Sequence, residues 1–179
     1  PQFSQDHLTT TTPGLQLTCG TERMDTRIKG SMHIMRYRDS YELDDTDYNS
    51  LGIFRYQMTP RNNISTQAQY SKDSRRDRDI EFTGMILGTA TRYRQQYSFT
   101  DDYRVSETSS AALSYSYGQD DFDDIEFVDS NSHLVSLRYS RRFSMPPEQN
   151  IFRMNTGYAR YNFLETTFDR VDNFFLSMG

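Results

Sequence analysis

A chain of 179 residues is long enough for one domain, but 35% hydrophobic content and a mean hydropathy of −0.84 are thin provision for a water-soluble core. The 13 Tyr and 12 Phe argue against disorder, because disordered chains are poor in aromatics. The net charge is −5, yet the charge is sorted: aspartates crowd certain intervals and arginines sit in the stretches between them.

Residues 1–12, with Thr9-Thr10-Thr11-Thr12, read as a polar lead-in. Strands are expected near 13–23, 29–42, 48–58, 63–72, 80–98, 103–118, 132–143, 150–164 and 173–179, so that residues 13–179 carry strands and loops throughout. The evidence is a period of two. Ile64, Thr66, Ala68 and Tyr70 alternate with Ser65, Gln67, Gln69 and Ser71. Tyr93 and Tyr97 alternate with Arg92, Arg94 and Gln96. Leu113, Tyr115 and Tyr117 alternate with Ser114 and Ser116, and Val135, Leu137 and Tyr139 with Ser136 and Arg138. An amphipathic helix would need a period of 3.6.

Two kinds of connection separate these stretches. Thr59-Pro60-Arg61-Asn62, Thr100-Asp101-Asp102 and Ser144 to Gln149 look like tight turns, where Pro presets φ and Asp bonds its own backbone. Asp44 to Asp47, Lys72 to Asp79, Asp120 to Asn131 and Glu165 to Asn173 look like longer acidic loops. Short and long alternate, so turns fall on one side of the sheet and loops on the other. That pattern predicts an all-β fold, an antiparallel up-and-down transmembrane β-barrel with about 8–10 strands visible. In lipid every backbone polar group must be satisfied internally, so a spanning sheet has to close. Nine strands is an odd number, and bacterial barrels are even, so further strands are expected and the chain reads as a segment of a larger barrel or as a mature protein without its leader.

A barrel needs an apolar outer face, for which Ile64, Tyr70, Tyr93, Tyr97, Leu113, Tyr115, Val135, Leu137 and Tyr139 are the lipid-facing candidates. Tyr56, Met58, Tyr97, Phe99, Tyr103, Phe143 and Phe152 suit an aromatic girdle on the turn side, and Tyr48, Tyr70, Tyr117, Phe122 and Phe163 one on the loop side. The competing fold is a soluble β-sandwich, which also alternates. It would bury Tyr115, Leu137 and Tyr139 between two layers. Strands of ten or more residues and a polar face of Ser, Gln, Gly and Arg with only two Lys favour the barrel. Glu107 and Arg141 fall on the expected lipid face and fit it poorly.

The arginines Arg36, Arg38, Arg55, Arg92, Arg94, Arg104, Arg138, Arg142 and Arg153 are expected on the lumen face. Guanidinium groups in a pore attract anions, and carboxylate or phosphate fits their fork. The alternative is that they pair with Asp and Glu and hold the wall together. The acidic loops lack the ordered spacing of a calcium loop and read as solvated charge. No cofactor is expected, nor a metal. His7, His33 and His133 are the only histidines; His133 stands near Asp129 and Ser132, but sequence proximity makes no triad, so an enzyme is not expected. Cys19 reads as an ordinary strand or turn residue, since one cysteine forms no internal disulfide. The sequon Asn63-Ile64-Ser65 falls in a strand, and no basic-aromatic patch points to nucleic acid.

The run Arg55 to Ser71, with its Thr-Pro-Arg turn, resembles the strand–turn–strand units of large Gram-negative outer-membrane β-barrels. So do Ala112 to Gly118 with the acidic stretch after it, and Leu137 to Ser144. The resemblance covers about residues 28–179. It is nearest to the outer-membrane barrels associated with exopolysaccharide and exosortase systems, and after them to the barrel partners of multihaem cytochromes. It implies a bacterial outer-membrane location, with outer-membrane lipid and lipopolysaccharide around the barrel and secretion-system or periplasmic partners. As functions it implies a porin-like or export channel, for anionic solutes or exopolysaccharide, or else a structural barrel serving a secretion or electron-transfer complex. A soluble extracellular β-sheet protein is the third expectation.

Overall fold

The computed structural model describes residues 7–39, 41, 44–74, 91–124, 127–145, 148–164 and 170–179. They form one ten-stranded antiparallel sheet: β1 (Leu8–Thr11), β2 (Gly14–Gly20), β3 (Met24–Tyr37), β4 (Asp45–Thr59), β5 (Asn62–Ser74), β6 (Thr91–Arg104), β7 (Ser109–Phe122), β8 (Ser130–Met145), β9 (Glu148–Phe163) and β10 (Arg170–Met178). From β3 onward each strand pairs with the next in sequence, an up-and-down meander. The sheet is open: among the described residues β10 pairs only with β9, and β1 and β2 only with β3.

β1 and β2 are two halves of one edge strand. Leu8 faces Tyr37 and Gly14 faces Ser31, and both pairs of numbers sum to 45, so the register runs through unbroken. The interruption is Thr12-Pro13. Proline has no N–H to give a ladder and is tolerated on an edge, and its carbonyl still accepts from Met32 N at 2.9 Å. Nine strand positions therefore cross the sheet. Part of the expected lead-in, Leu8–Thr11, belongs to the first of them.

The short connections, 21–23, 60–61, 105–108 and 146–147, lie at one end of the sheet, and the connections 38–44, 75–90, 123–129 and 164–169 at the other. These ends are called the turn side and the loop side below. The turn expected at Thr100–Asp102 lies instead at 105–108. There the Ser106 hydroxyl accepts from the backbone N–H of Thr108 (3.3 Å) and Ser109 (3.1 Å), which closes the turn. Asp101 stays in the ladder, its carboxylate accepting from the Asn62 amide at 2.8 Å. Glu107 consequently sits in the turn and not in mid-strand. The acidic stretch from Asp45 to Asp47 is likewise strand, at the start of β4. Of the expected strand 80–98, residues 80–90 lie outside the described residues, and β6 runs on to Arg104.

No second layer covers either face among the described residues. Of the described residues only Ala112, Ala159 and Arg92 are buried, and none of their large side chains is fully buried. Leu113 (51% exposed), Leu137 (44%) and Tyr115 (41%) stand open. The sandwich alternative required these side chains to be covered by another sheet, and no described residue covers them.

Candidate functional site: the polar face of the sheet

In an antiparallel ladder, residues directly opposite share a face, so the register assigns every side chain. Ile64, Asp101, Leu113, Leu137, Thr156 and Leu176 form one cross-strand row. Thr66, Phe99, Tyr115, Val135, Tyr158 and Phe174 form the next. This face is apolar. Tyr70, Tyr93, Tyr97 and Tyr139 lie on it too, so all nine expected apolar-face residues share one side of the sheet. Aromatic pairs run along it, with Tyr48 on Tyr70 (5.6 Å) and Tyr97 on Tyr117 (6.2 Å). Phe122 and Phe163, expected in the loop-side girdle, fall on the opposite face, because Phe122 pairs with Arg92 and Phe163 with Ser130.

The apolar band slopes across the sheet. In β3 it runs from Met24 to Ile34, with its midpoint at position 29. The ladder from Lys29 leads through Leu51, Gln69, Gln96, Gly118 and Ser132 to Tyr161 in β9. In β9 the band runs from Phe152 to Tyr158, midpoint Asn155, which is six residues nearer the turn side (161 − 155). Six residues at about 3.4 Å, over six strand spacings at about 4.8 Å, give a slope of about 35°. That is the strand tilt of a membrane barrel, about 35–45°. A level apolar belt crosses these strands only if the strands themselves are inclined.

Charges on the apolar face lie near its margins. Arg141 lies on the turn side and places its guanidinium 5.0 Å from the Phe143 ring centroid. On the loop side Asp172 accepts from Tyr158 Oη (2.6 Å), Arg160 Nε (3.2 Å) and Arg170 Nε (2.7 Å). Asp101, three residues from the turn-side end of β6, occupies the row that Ile64 and Leu113 share and is met there by Asn62.

The other face is polar. Across its middle run Gln67, Ser98, Ser116 and Leu134, with Gln69, Gln96, Gly118 and Ser132 beside them. Arg55, Arg92, Arg94, Arg104, Arg138, Arg142 and Arg153 are on this face, as expected from the alternation. Arg36 is not. It pairs with Thr9 and shares the side of Met32 and Ile34, with its Nε 3.7 Å from Asp44 at the strand end. Arg38 lies one residue past β3, in a bend where its N–H donates to His7 O. The physical reason is that β3 continues through Ile34 to Tyr37 without a bulge, which fixes even-numbered residues on the apolar side. Arg27, which precedes the expected start of this strand at residue 29, and Lys29, its expected first residue, face the polar side.

The polar-face arginines divide by position. On the loop side Arg94 donates from Nε and an Nη to the two oxygens of Asp120, at 2.6 and 2.8 Å. Arg92, 8% exposed, meets Asp73 at 3.1 Å. Arg55 is also paired, approaching Asp25 at 3.8 Å, but near the turn side, at the ends of β4 and β3. Farther across the sheet, in β6, β8 and β9, the guanidinium groups of Arg104, Arg138, Arg142 and Arg153 make no ion pair or hydrogen bond to the described residues, and all four are exposed. Between them the Ser110 and Ser140 hydroxyls bond each other at 2.8 Å. A polar hollow of about 300 Å³ opens beside the paired group, lined by Ser31, His33, Asn49, Ser71, Arg94 and Gln96. The wall is not uniformly wet: Leu51, Ile53, Leu134 and Phe175 also face this side. Phe175 lies across Gly157, where a Cβ would stand 2.5 Å from its ring. No cluster of metal-ligating side chains occurs among the described residues. Cys19 is an exposed residue of β2. His133 stands against Tyr115 and Tyr117, and its Nδ1 lies 2.9 Å from Tyr115 Oη.

No family model matches the chain, and no curated protein matches it significantly. Among solved structures it is similar to the siderophore receptor PirA from Pseudomonas aeruginosa, at a TM-score of 0.61 and 16% identity. The similarity covers 94% of this chain and 29% of the receptor, so the chain spans under a third of that protein's length. At this identity the likeness concerns the fold. The fold is all-β, an antiparallel up-and-down sheet of the outer-membrane β-barrel type, present here as an open run of strands.

Proposed function

We propose that this chain forms part of the wall of a conduit across the outer membrane, porin-like or serving export, whose lumen favours anionic solutes. The observation that carries the reading is the division between faces. One side of a single-layer sheet is a sloping apolar band with no described residue packed on it, far larger than a soluble protein leaves open to water. The other side carries Ser, Gln and seven of the expected arginines. Outer-membrane lipid and lipopolysaccharide would cover the first, and water and solute the second. Guanidinium groups lining a pore raise the local concentration of anions and hold carboxylate or phosphate through paired N–H donors.

A second reading rests on Leu51, Ile53, Leu134 and Phe175. Apolar side chains on a lumen wall suit a barrel that encloses a protein partner, as a scaffold for a secretion or electron-transfer complex would.

Both readings place the protein in the detergent-extracted outer-membrane fraction with heat-modifiable gel mobility. The purified protein in planar bilayers under a KCl gradient separates them. A reversal potential on the anion side supports the conduit. Cation selectivity ends the anion reading, and absence of conductance favours the scaffold.

A further inference from the structure

We propose that the turn-side part of the polar face on β6 to β9 is a binding site for an oligomeric anion, formed by Arg104, Arg138, Arg142 and Arg153 around the Ser110–Ser140 hydroxyl pair. This rests on the conduit reading and names where and how the solute is held. The register brings the six residues together from four strands. Arg104 faces Ser110, Ser110 faces Ser140 and Ser140 faces Arg153, one unbroken row across β6, β7, β8 and β9. Arg138 and Arg142 stand two residues to either side of Ser140 on β8, hence on the same face. The guanidinium groups thus surround the two hydroxyls. When one hydroxyl donates to the other at 2.8 Å, one O–H proton is left to donate to a ligand.

Charge balance makes the case. Among the described residues the ion pairs of the polar-face arginines lie elsewhere: Arg55 with Asp25, Arg92 with Asp73, Arg94 with Asp120. Asp102, two residues from Arg104, is the one acidic side chain placed by the ladder beside the cluster, and it pairs with none of the four. Four cations against one carboxylate leave an excess of three on a single patch. Like charges repel, and a wall that needed these arginines only for stability would set carboxylates against them, as Asp25, Asp73 and Asp120 are set against Arg55, Arg92 and Arg94.

The dimensions select the ligand. Three strand spacings separate Arg104 from Arg153, about 14 Å, and four residues separate Arg138 from Arg142, about 13 Å. A single phosphate reaches one or two of these groups. A chain carrying a carboxylate or phosphate on each unit reaches all of them, and can pass from one to the next without leaving the wall.

The test is isothermal titration of the full-length protein in detergent at low salt with tetragalacturonate, with tripolyphosphate, and with neutral maltotetraose. Tetragalacturonate and tripolyphosphate are expected to bind and maltotetraose is not. The pair Arg138→Gln with Arg142→Gln lowers affinity for both anions by tenfold or more, as does the pair Arg104→Gln with Arg153→Gln, while Arg55→Gln stays within about twofold. Unchanged heat-modifiable mobility shows that the variants fold. Absence of binding by the unaltered protein, or affinity that survives both double variants, overturns the site. Bilayer conductance is read separately. An anion-selective barrel without oligoanion binding leaves the conduit standing and removes the site. Binding without conductance keeps the site and removes the conduit.

Discussion

Arg94 and Arg104 stand on the same face of β6, ten residues apart (104 − 94), and they have different work to do. Opposite Arg94 the register sets Asp120, and the two join through a pair of short hydrogen bonds. Opposite Arg104 it sets Ser110, and the guanidinium is left exposed. Residue type and face are the same, so neither decides the role. What decides it is the residue that the neighbouring strand delivers to the facing position. A paired arginine is part of the wall's structure. An unpaired one is held ready for something that is not part of the chain.

Moving an arginine across the pleat has the largest expected effect. Leu137→Arg places a guanidinium one residue from Arg138 but on the apolar side, in the row of Leu113 and Ile64. An arginine near the bilayer midplane costs about 2–4 kcal/mol. The urea midpoint of the protein in lipid vesicles should fall accordingly, whereas Ser136→Arg, on the polar face, should stay within about 0.5 kcal/mol. Equal midpoints for the two variants would mean that the two faces see the same medium, and the membrane reading would fail.

Removing a partner is the next largest effect. Asp120→Asn leaves Arg94 half-buried and without its carboxylate. The pair is about a third exposed, with side-chain accessibilities of 33% and 26%, so solvent screens part of the loss and about 1 kcal/mol is expected. Asp102→Asn, beside the unpaired group, should change nothing measurable in the same unfolding experiment. If Asp102→Asn costs as much as Asp120→Asn, the turn-side arginines are paired after all.

Much of this fold was legible in the residues themselves. The side-chain period in a strand is two, so Ile64 to Tyr70 and Leu113 to Tyr117 announced their faces without any knowledge of partners. The site was legible only in half. Alternation put Arg94 and Arg104 on one face, but the pairing of Arg94 with Asp120 spans 26 residues and depends on the register of β6 against β7. That register is set by the turn at 105–108, and Asp101-Asp102 imitated a turn where the chain keeps to the ladder. Arg36 was misplaced for a related reason: a run of residues beginning at 29 hid the true start of β3 at Met24, and with it the parity of the strand. The edge strand escaped notice because four threonines and a proline carry no apolar alternation, and only the neighbour's hydrogen bonds make Leu8–Thr11 a strand.

The smallest effect is the most telling for the division of the wall. Arg142→Gln removes a guanidinium that no described carboxylate meets and that lies diagonal to Arg153, since Arg142 faces Ile151 and Arg153 faces Ser140. With no partner to lose and a like charge nearby, stability should hold within about 0.5 kcal/mol. Any gain should come from relieved repulsion and therefore respond to salt. At about 0.01 M ionic strength the screening length is about 30 Å and the gain is greatest; at about 1 M it is about 3 Å and the gain should vanish. Urea midpoints of the variant and the parent protein, measured at both salt concentrations, read this directly. A loss of 1 kcal/mol or more, or a difference indifferent to salt, would give Arg142 the same standing as Arg94 and dissolve the distinction between the two halves of the wall.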